Sequence, residues 1–124
     1  MKHRVLIVDD LPFMRSLLAD IVANAGMVLA GTAEDGRRGL RMYLATEPDV
    51  VLLDIAMPVM DGLTTLERLR QLDPAARVIM CSALGEQAMI VRAIQLGARD
   101  FVVKPFRPER VVSAINKVIH ADQM

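Results

Sequence analysis

The stretch VLIVDD, residues 5–10, decides how this chain reads: four consecutive apolar side chains, mostly β-branched, closed by two carboxylates. A run of that length with no polar alternation suits a strand covered on both faces, as in a parallel sheet. The same form returns at Met27–Ala30, Val50–Leu53, Val78–Cys81 and Phe101–Val103, each bounded by charged residues, glycine or proline. Between the runs lie segments of helical period. Met14, Leu17, Leu18, Ile21, Val22 and Ala25 recur at three- and four-residue spacing, and Gly26 is placed to end that helix. Leu40, Tyr43 and Leu44 predict the buried stripe of a second, with Arg37, Arg38 and Arg41 facing water. Leu63, Leu66 and Leu69 mark a third after Asp61-Gly62, closed by Asp73-Pro74. A fourth runs from about Glu86 to Leu96, and Pro108 opens a fifth whose stripe is Val111, Val112, Ile115, Val118 and Ile119. Five strand–helix repeats define an α/β domain around a parallel sheet, with no linker or internal repeat.

Composition narrows the function classes. The chain has 124 residues, 53% of them hydrophobic and 24% charged, which fits a single folded domain over residues 1–124 and excludes intrinsic disorder. Fifteen basic side chains balance fifteen acidic ones, so neither nucleic acid nor a membrane surface is an expected partner. The lone cysteine, Cys81, excludes an internal disulfide and fits a reducing compartment. The apolar runs fall far short of the ~18 residues of a membrane span. No signal-type apolar stretch opens the chain, so a cytoplasmic location is expected.

In a sheet of this kind ligands bind beyond the carboxyl ends of the strands. The first predicted strand ends in Asp9-Asp10, the third in Asp54, the fourth in Ser82 and the fifth in Lys104, while the second brings only Gly31 and Thr32. Parallel strands present these ends on one rim. Three carboxylates gathered there repel unless one is protonated or a cation joins them. All-oxygen ligands in an open site suit Mg²⁺. The chemistry is then that of anions: metal and Lys104 neutralise phosphoryl oxygens, Ser82 donates a hydrogen bond, and a carboxylate serves as the nucleophile. An Asp-Asp pair alone is usually a turn or cap, and a lone Lys-Pro-Phe a loop. Acid, acid, hydroxyl and amine at four strand ends, in this order, are hard to explain as capping. Other chemistries lack parts. The histidines, His3 and His120, lie near the termini, and neither a GxGxxG nor a GxxxxGK[ST] follows a strand. Cys81 should point away from Ser82, into the core.

The motifs VLIVDD at Val5–Asp10, DIAMPVMDG at Asp54–Gly62, CSALG at Cys81–Gly85 and DFVVKPF at Asp100–Phe106 carry a resemblance over essentially the whole chain. The sequence resembles the receiver domain of bacterial two-component response regulators, above all its stand-alone chemotaxis type. The resemblance implies a doubly wound, flavodoxin-like (βα)5 domain with strand order 2-1-3-4-5. It implies that Asp54 accepts a phosphoryl group from the phosphohistidine of a CheA-like histidine kinase. Asp10 would bind Mg²⁺ directly, Asp9 mostly through water, and Asp54 and the backbone carbonyl of Ala56 would complete the protein's share of the metal shell. Ser82 would be the switch hydroxyl, Lys104 the partner of the phosphoryl oxygens, Lys104-Pro105 a cis bond and Phe101 the switch aromatic. Such a protein is a signalling switch rather than an enzyme with a separate substrate, although it catalyses its own phosphorylation and dephosphorylation. Its implied output partner is a flagellar motor switch protein, with a phosphatase as a further partner and the chain itself monomeric.

Three positions depart from common patterns of that family. Phe101 replaces a tyrosine, which removes a phenolic hydroxyl but keeps a ring that can change its burial. Ala56 and Leu84, two residues beyond Asp54 and Ser82, put apolar groups where many relatives carry polar ones. They predict a poorly oriented attacking water and a long-lived phosphorylated state. The fourth helix is apolar on nearly every side. Either it is a loosely patterned helix partly covered by its neighbours, or it forms a partner face with the fifth strand and fifth helix, with Met89 or Ile90 and Phe101 as contacts. Phe13 reads as a helix-entry packing residue or as a contact for a kinase or phosphatase. The same domain could serve another output, as part of a transcriptional regulator or a phosphorelay intermediate; the short segment 121–124 favours the stand-alone reading. A small Mg²⁺-dependent phosphohydrolase is the remote alternative, since it would need an acid partner for the nucleophile and a segment covering the substrate.

Overall fold

The computed structural model describes residues 2–121. Strands and helices alternate strictly: β1 (Arg4–Val8), α1 (Pro12–Asn24), β2 (Val28–Ala33), α2 (Gly36–Thr46), β3 (Val50–Asp54), α3 (Gly62–Leu72), β4 (Val78–Ser82), α4 (Gln87–Gln95), β5 (Asp100–Val103) and α5 (Pro108–Ala121). The strands form one parallel sheet in the order β2-β1-β3-β4-β5, the doubly wound topology expected of the receiver family.

The uninterrupted apolar runs follow from this layering. Val5, Ile7, Leu52, Ile79 and Cys81 pack under α1 and α5, whereas Leu6, Val8, Leu53, Val78 and Met80 pack under α2, α3 and α4. Each central strand feeds two cores, so successive residues are all buried. Cys81 lies in the α1/α5 core, as its position next to Ser82 predicts. Two helices are capped by the aspartates that precede them: Asp35 Oδ1 accepts from the Arg38 amide (2.9 Å) and Asp61 Oδ1 from the Thr64 amide (2.8 Å).

Two local expectations are corrected. β2 does not stop at Ala30 but continues to Ala33, so the residues leaving its carboxyl end are Glu34 and Asp35. Gly31 is no terminator. Leu29 pairs with Val5 and Gly31 with Leu6, so Ala30 is an extra residue, and a glycine beside such a bulge is a usual strand feature. In α2 the inward face is Gly36, Gly39 and Tyr43, with Leu40 half-buried; Leu44 is 61% exposed. The bare Gly39 brings α2 against Val8, where an added Cβ would lie 3.0 Å from a valine methyl. Tyr43 donates its hydroxyl to Asp73 Oδ2 at the end of α3 (2.6 Å).

Candidate functional site

The carboxyl edge of the sheet brings together the acids and the amine read from the strand ends. Asp54 is the last residue of β3 and Asp9 follows β1 directly; they are 4% and 1% exposed. The Asp9 amide continues the ladder by donating to the Ala33 carbonyl (3.0 Å), and its Oδ1 accepts from the Leu11 amide (2.9 Å). Lys104 leaves β5 with its amide donating to the Ser82 carbonyl (2.7 Å), and the Lys104-Pro105 peptide is cis, as the resemblance implies. Its ammonium donates to Asp54 Oδ1 at 3.1 Å and lies 3.4 Å from Asp9 Oδ2. Ser82, the last residue of β4, is buried at the same edge. Gly31 and Thr32 lie inside β2 and do not end it.

Placing these charges out of water perturbs them. Burial pushes the Asp54 carboxyl up from 3.8 to about 6, and the Asp9 charge adds to it, against the opposing pull of Lys104. Burial alone would lower Lys104, but the Asp54 and Asp9 charges outweigh it and hold the ammonium above its ordinary range. One cation does not satisfy three acids. Asp9 Oδ2 is buried with no hydrogen-bond partner, and ligand oxygens of Asp9, Asp10 and Asp54 all lie within 4.8 Å of one another. A hard divalent cation with oxygen ligands fits that donor set. Ala56 stands on the same side, exposed, and lines a cleft of about 410 Å³ with Asp10, Pro58, Asp61 and Met89.

α3 is held against β3 by Gly62. Its amide donates to the Ile55 carbonyl (2.7 Å), and an added Cβ would meet the Asp54 carbonyl oxygen at 2.1 Å. The Asp61-Gly62 pair, read in sequence as a helix start, therefore also fixes the depth at which β3 presents Asp54.

On the far side of Lys104, an apolar groove of about 260 Å³ runs between α4 and β5, lined by Ser82, Leu84, Ile90, Val91, Phe101 and Val103 among others. Phe101 is 36% exposed in this edge strand. Val91 and Val103 are additions to the residues expected there; the signal for Val91 was the absence of a single clean apolar stripe in α4, and Val103 lies in the edge strand β5 two residues after Phe101. Ala93 is buried and Ile90 packs half-buried against the core, while Met89, Val91 and Ile94 are exposed, so neighbouring elements cover this helix only in part. Met89 and Ile90 face different ways: Met89 lines the cleft by Asp10, and Ile90 the groove leading from Ser82 to Phe101. Phe13 is 72% exposed, which removes its reading as a packing residue.

The description "response regulator receiver domain" fits residues 5–116, and the chain belongs to that family. Among individual proteins it is 51% identical over 118 residues to the chemotaxis protein CheY of Thermotoga maritima, covering 95% of this chain and 98% of that one. It is 49% identical over 120 residues to CheY of Bacillus subtilis, covering 97% and 100%. A chain in the crystal structure of the CheX–CheY–BeF3–Mg complex from Borrelia burgdorferi matches with a TM-score of 0.89 at 38% identity, over 94% of this chain and 88% of that one. The protein is thus a receiver domain closely related to CheY, of a class that signals. No helix among the described residues is long and apolar enough to cross a membrane.

Proposed function

We propose that residues 1–124 act as a single stand-alone receiver of the chemotaxis type, phosphorylated on Asp54 by a CheA-like histidine kinase in the presence of Mg²⁺. The observation that carries this reading is the arrangement at the sheet edge: three carboxylates with ligand oxygens within 4.8 Å, one of them held at 3.1 Å by Lys104. Asp54, with Asp9, Asp10 and the Ala56 carbonyl, would hold the metal, which neutralises phosphoryl oxygens when bound. An Asp54 carboxylate oxygen attacks phosphorus as the N–P bond of the donor phosphohistidine breaks, and the imidazole leaves with that electron pair. Lys104, already directed at Asp54, holds the incoming phosphoryl oxygens. In dephosphorylation a water oxygen attacks phosphorus, the bond between phosphorus and the Asp54 oxygen breaks with its electron pair returning to the carboxylate, and inorganic phosphate leaves, so the protein catalyses both its own phosphorylation and its own dephosphorylation.

The output side follows from the groove. Ser82 lies at its inner end and Phe101 at the surface. Drawing the Ser82 hydroxyl toward a phosphoryl group changes the space available to the ring, a local charge event that biases a two-state surface. Phe101, Met89, Ile90 and α5 would then present the face that binds a flagellar motor switch protein, with the chain acting as a cytoplasmic monomer. A phosphatase would act at the Asp54 edge. The test is intact mass after incubation with a small phosphodonor and Mg²⁺. A single phosphoryl adduct is expected on the wild type, lost in Asp54→Asn and without Mg²⁺. Wild type that stays unmodified with a good donor would sink the reading.

A further inference from the structure

β2 ends the sheet and pairs with β1 on one side only. α1 packs on one face of the sheet and α2 on the other. A cleft of about 560 Å³, lined by Arg15 of α1 and by Arg38, Arg41 and Met42 of α2, therefore lies across this open edge. β2 supplies its floor. Gly31 carries no side chain, and the Met42 methyl stands 2.3 Å from where a Cβ would be. The Ala33 carbonyl accepts from the Asp9 amide (3.0 Å), which directs the backbone groups of Ala33 toward β1. Those of the preceding residue point the other way, so Thr32, which also lines the cleft, turns its N–H and C=O outward from the sheet.

The charges gathered here are not balanced, although those of the whole chain are. Three guanidiniums line the cleft against one carboxylate, that of Glu34. Glu34 and Asp35 both pair with Arg38, whereas Arg41 has no ion-pair partner among the described residues. Arg15 is half-buried and donates Nη1 to the Asp9 carbonyl (2.7 Å). That bond to a neutral group fixes the guanidinium without cancelling its charge. Like charges converging on one concavity repel, and an anion placed between them removes the cost. Arginine forks and an outward backbone N–H are the donors that phosphoryl oxygens take.

We propose that this cleft binds a small polyphosphate-bearing metabolite, its phosphoryl oxygens held by Arg15, Arg38, Arg41 and the Thr32 amide. Any uncharged portion of the ligand rests on Met42. The volume falls among the ~300–1,000 Å³ of pockets that hold small molecules. Three arginines at one place suit a compact anion, whereas a nucleic acid needs basic residues along an extended track. Nothing in this site requires Asp54 to be phosphorylated. A nucleoside polyphosphate and a bare inorganic polyphosphate share the chemistry the arginines recognise, and they differ in whether a nucleoside uses the Met42 side of the cleft.

The test titrates ATP, tripolyphosphate and adenosine into the metal-free protein in EDTA and follows backbone amide shifts by NMR. ATP and tripolyphosphate should each saturate a single site, with the largest shifts at Thr32 and over residues 38–42. Adenosine should cause none. Tighter binding of ATP supports the site and assigns it to a nucleoside polyphosphate; equal binding supports it and assigns it to the bare polyphosphate. Arg41→Gln should weaken both by roughly tenfold, and added salt should weaken them further. Arg68→Gln removes an exposed arginine of α3 that does not line the cleft, and should leave binding at the wild-type level. The shift map of the wild type needs no variant to fold. Absence of saturation in the millimolar range overturns the proposal. So do shifts centred on Lys104 or another surface, equal weakening by Arg41→Gln and Arg68→Gln, or adenosine binding as tightly as ATP.

Discussion

Replacing Asp54 by asparagine should stabilise the metal-free protein at neutral pH, although it removes the residue on which the proposed chemistry depends. In the folded chain the Asp54 carboxyl is pushed from 3.8 to about 6, first by burial and then by the charge of Asp9. A group whose folded value lies above its unfolded value contributes its full stability below the unfolded value, and loses it as pH rises through the folded one. The window is therefore about pH 4 to 6. The interval is about two pH units, each worth about 1.4 kcal/mol, so the loss approaches ~3 kcal/mol. Because Asp9 and Asp54 both lie within 3.4 Å of the Lys104 ammonium, the proton belongs to the cluster, and ~2 kcal/mol is a fair lower figure.

Urea unfolding in EDTA from pH 4.5 to 7.5 reads this directly. With a urea slope of about 1.5–2 kcal/mol/M for a domain of this size, the wild-type midpoint should fall by roughly 1–2 M relative to Asp54→Asn over that range. Mg²⁺ added at pH 7.5 should raise the wild-type midpoint and leave the variant nearly unmoved, since a ligand of the folded state alone stabilises it. Parallel curves for the two proteins across the pH range would refute the account of Asp54 as a buried carboxylate repelled by Asp9.

Four further outcomes follow from the same geometry. Tyr43→Phe should cost about 1–2 kcal/mol at pH 7 through the hydrogen bond to Asp73; burial, then the Asp73 contact, push the phenol above its ordinary 10.0, so urea titrations should show wild type losing this advantage as pH rises past about 10. Gly62→Ala sets a Cβ against backbone at 2.1 Å and should destabilise by more than about 2 kcal/mol, slowing Mg²⁺-dependent phosphorylation by a small donor as α3 shifts from β3. Ala56→Asn with Leu84→Glu should speed decay of the phosphoprotein severalfold, followed by loss of the mass adduct; an unchanged lifetime would show that the apolar flanks do not govern water access. Lys104→Met removes a cation 3.1 Å and 3.4 Å from two of the three clustered carboxylates and should tighten Mg²⁺ binding by on the order of tenfold in calorimetry, while slowing phosphoryl transfer.

The fold was legible because each central strand is an unbroken apolar run that stops at a polar residue, and those polar residues are the ones the proposed function uses. Asp9, Asp54, Ser82 and Lys104 needed no structure to be placed on one edge; parallel connectivity alone put them there. What stayed hidden depends on contacts between elements. Gly31 looks like a terminator in isolation, and it takes the pairing of Leu6 with Gly31 to make it part of a bulged strand. Leu44 fits a helical stripe as well as Gly39 does, until the close approach of α2 to Val8 selects the glycine face. Phe13 follows a proline at a helix start, where a packing role is the ordinary one, and its exposure is set by how α1 leaves the sheet edge. The orphaned Asp9 Oδ2 was likewise invisible, because hydrogen-bond accounting needs coordinates.

The distribution of buried side chains explains why a charge event at this edge would be read out through α4. Helix α1 buries Leu18, Ile21 and Val22, α3 buries Gly62, Thr65, Leu66 and Leu69, and α5 buries Val111, Ala114, Ile115, Val118 and Ile119. Helix α4 buries Ala93 alone. Apolar burial is worth about 25 cal/mol per Å², so the alanine anchors α4 far more weakly than the branched side chains anchor its neighbours. Regions with few buried contacts are the ones that shift at low free energy. The strand next to α4, β5, is an edge strand with Phe101 and Val103 exposed, and its ladder is completed on one side only. A displacement of Ser82 toward Asp54 therefore meets rigid packing on the α1, α3 and α5 sides and the least resistance along the groove between α4 and β5. A switch of the proposed kind would take its direction from the unequal anchoring of the helices, without a dedicated hinge.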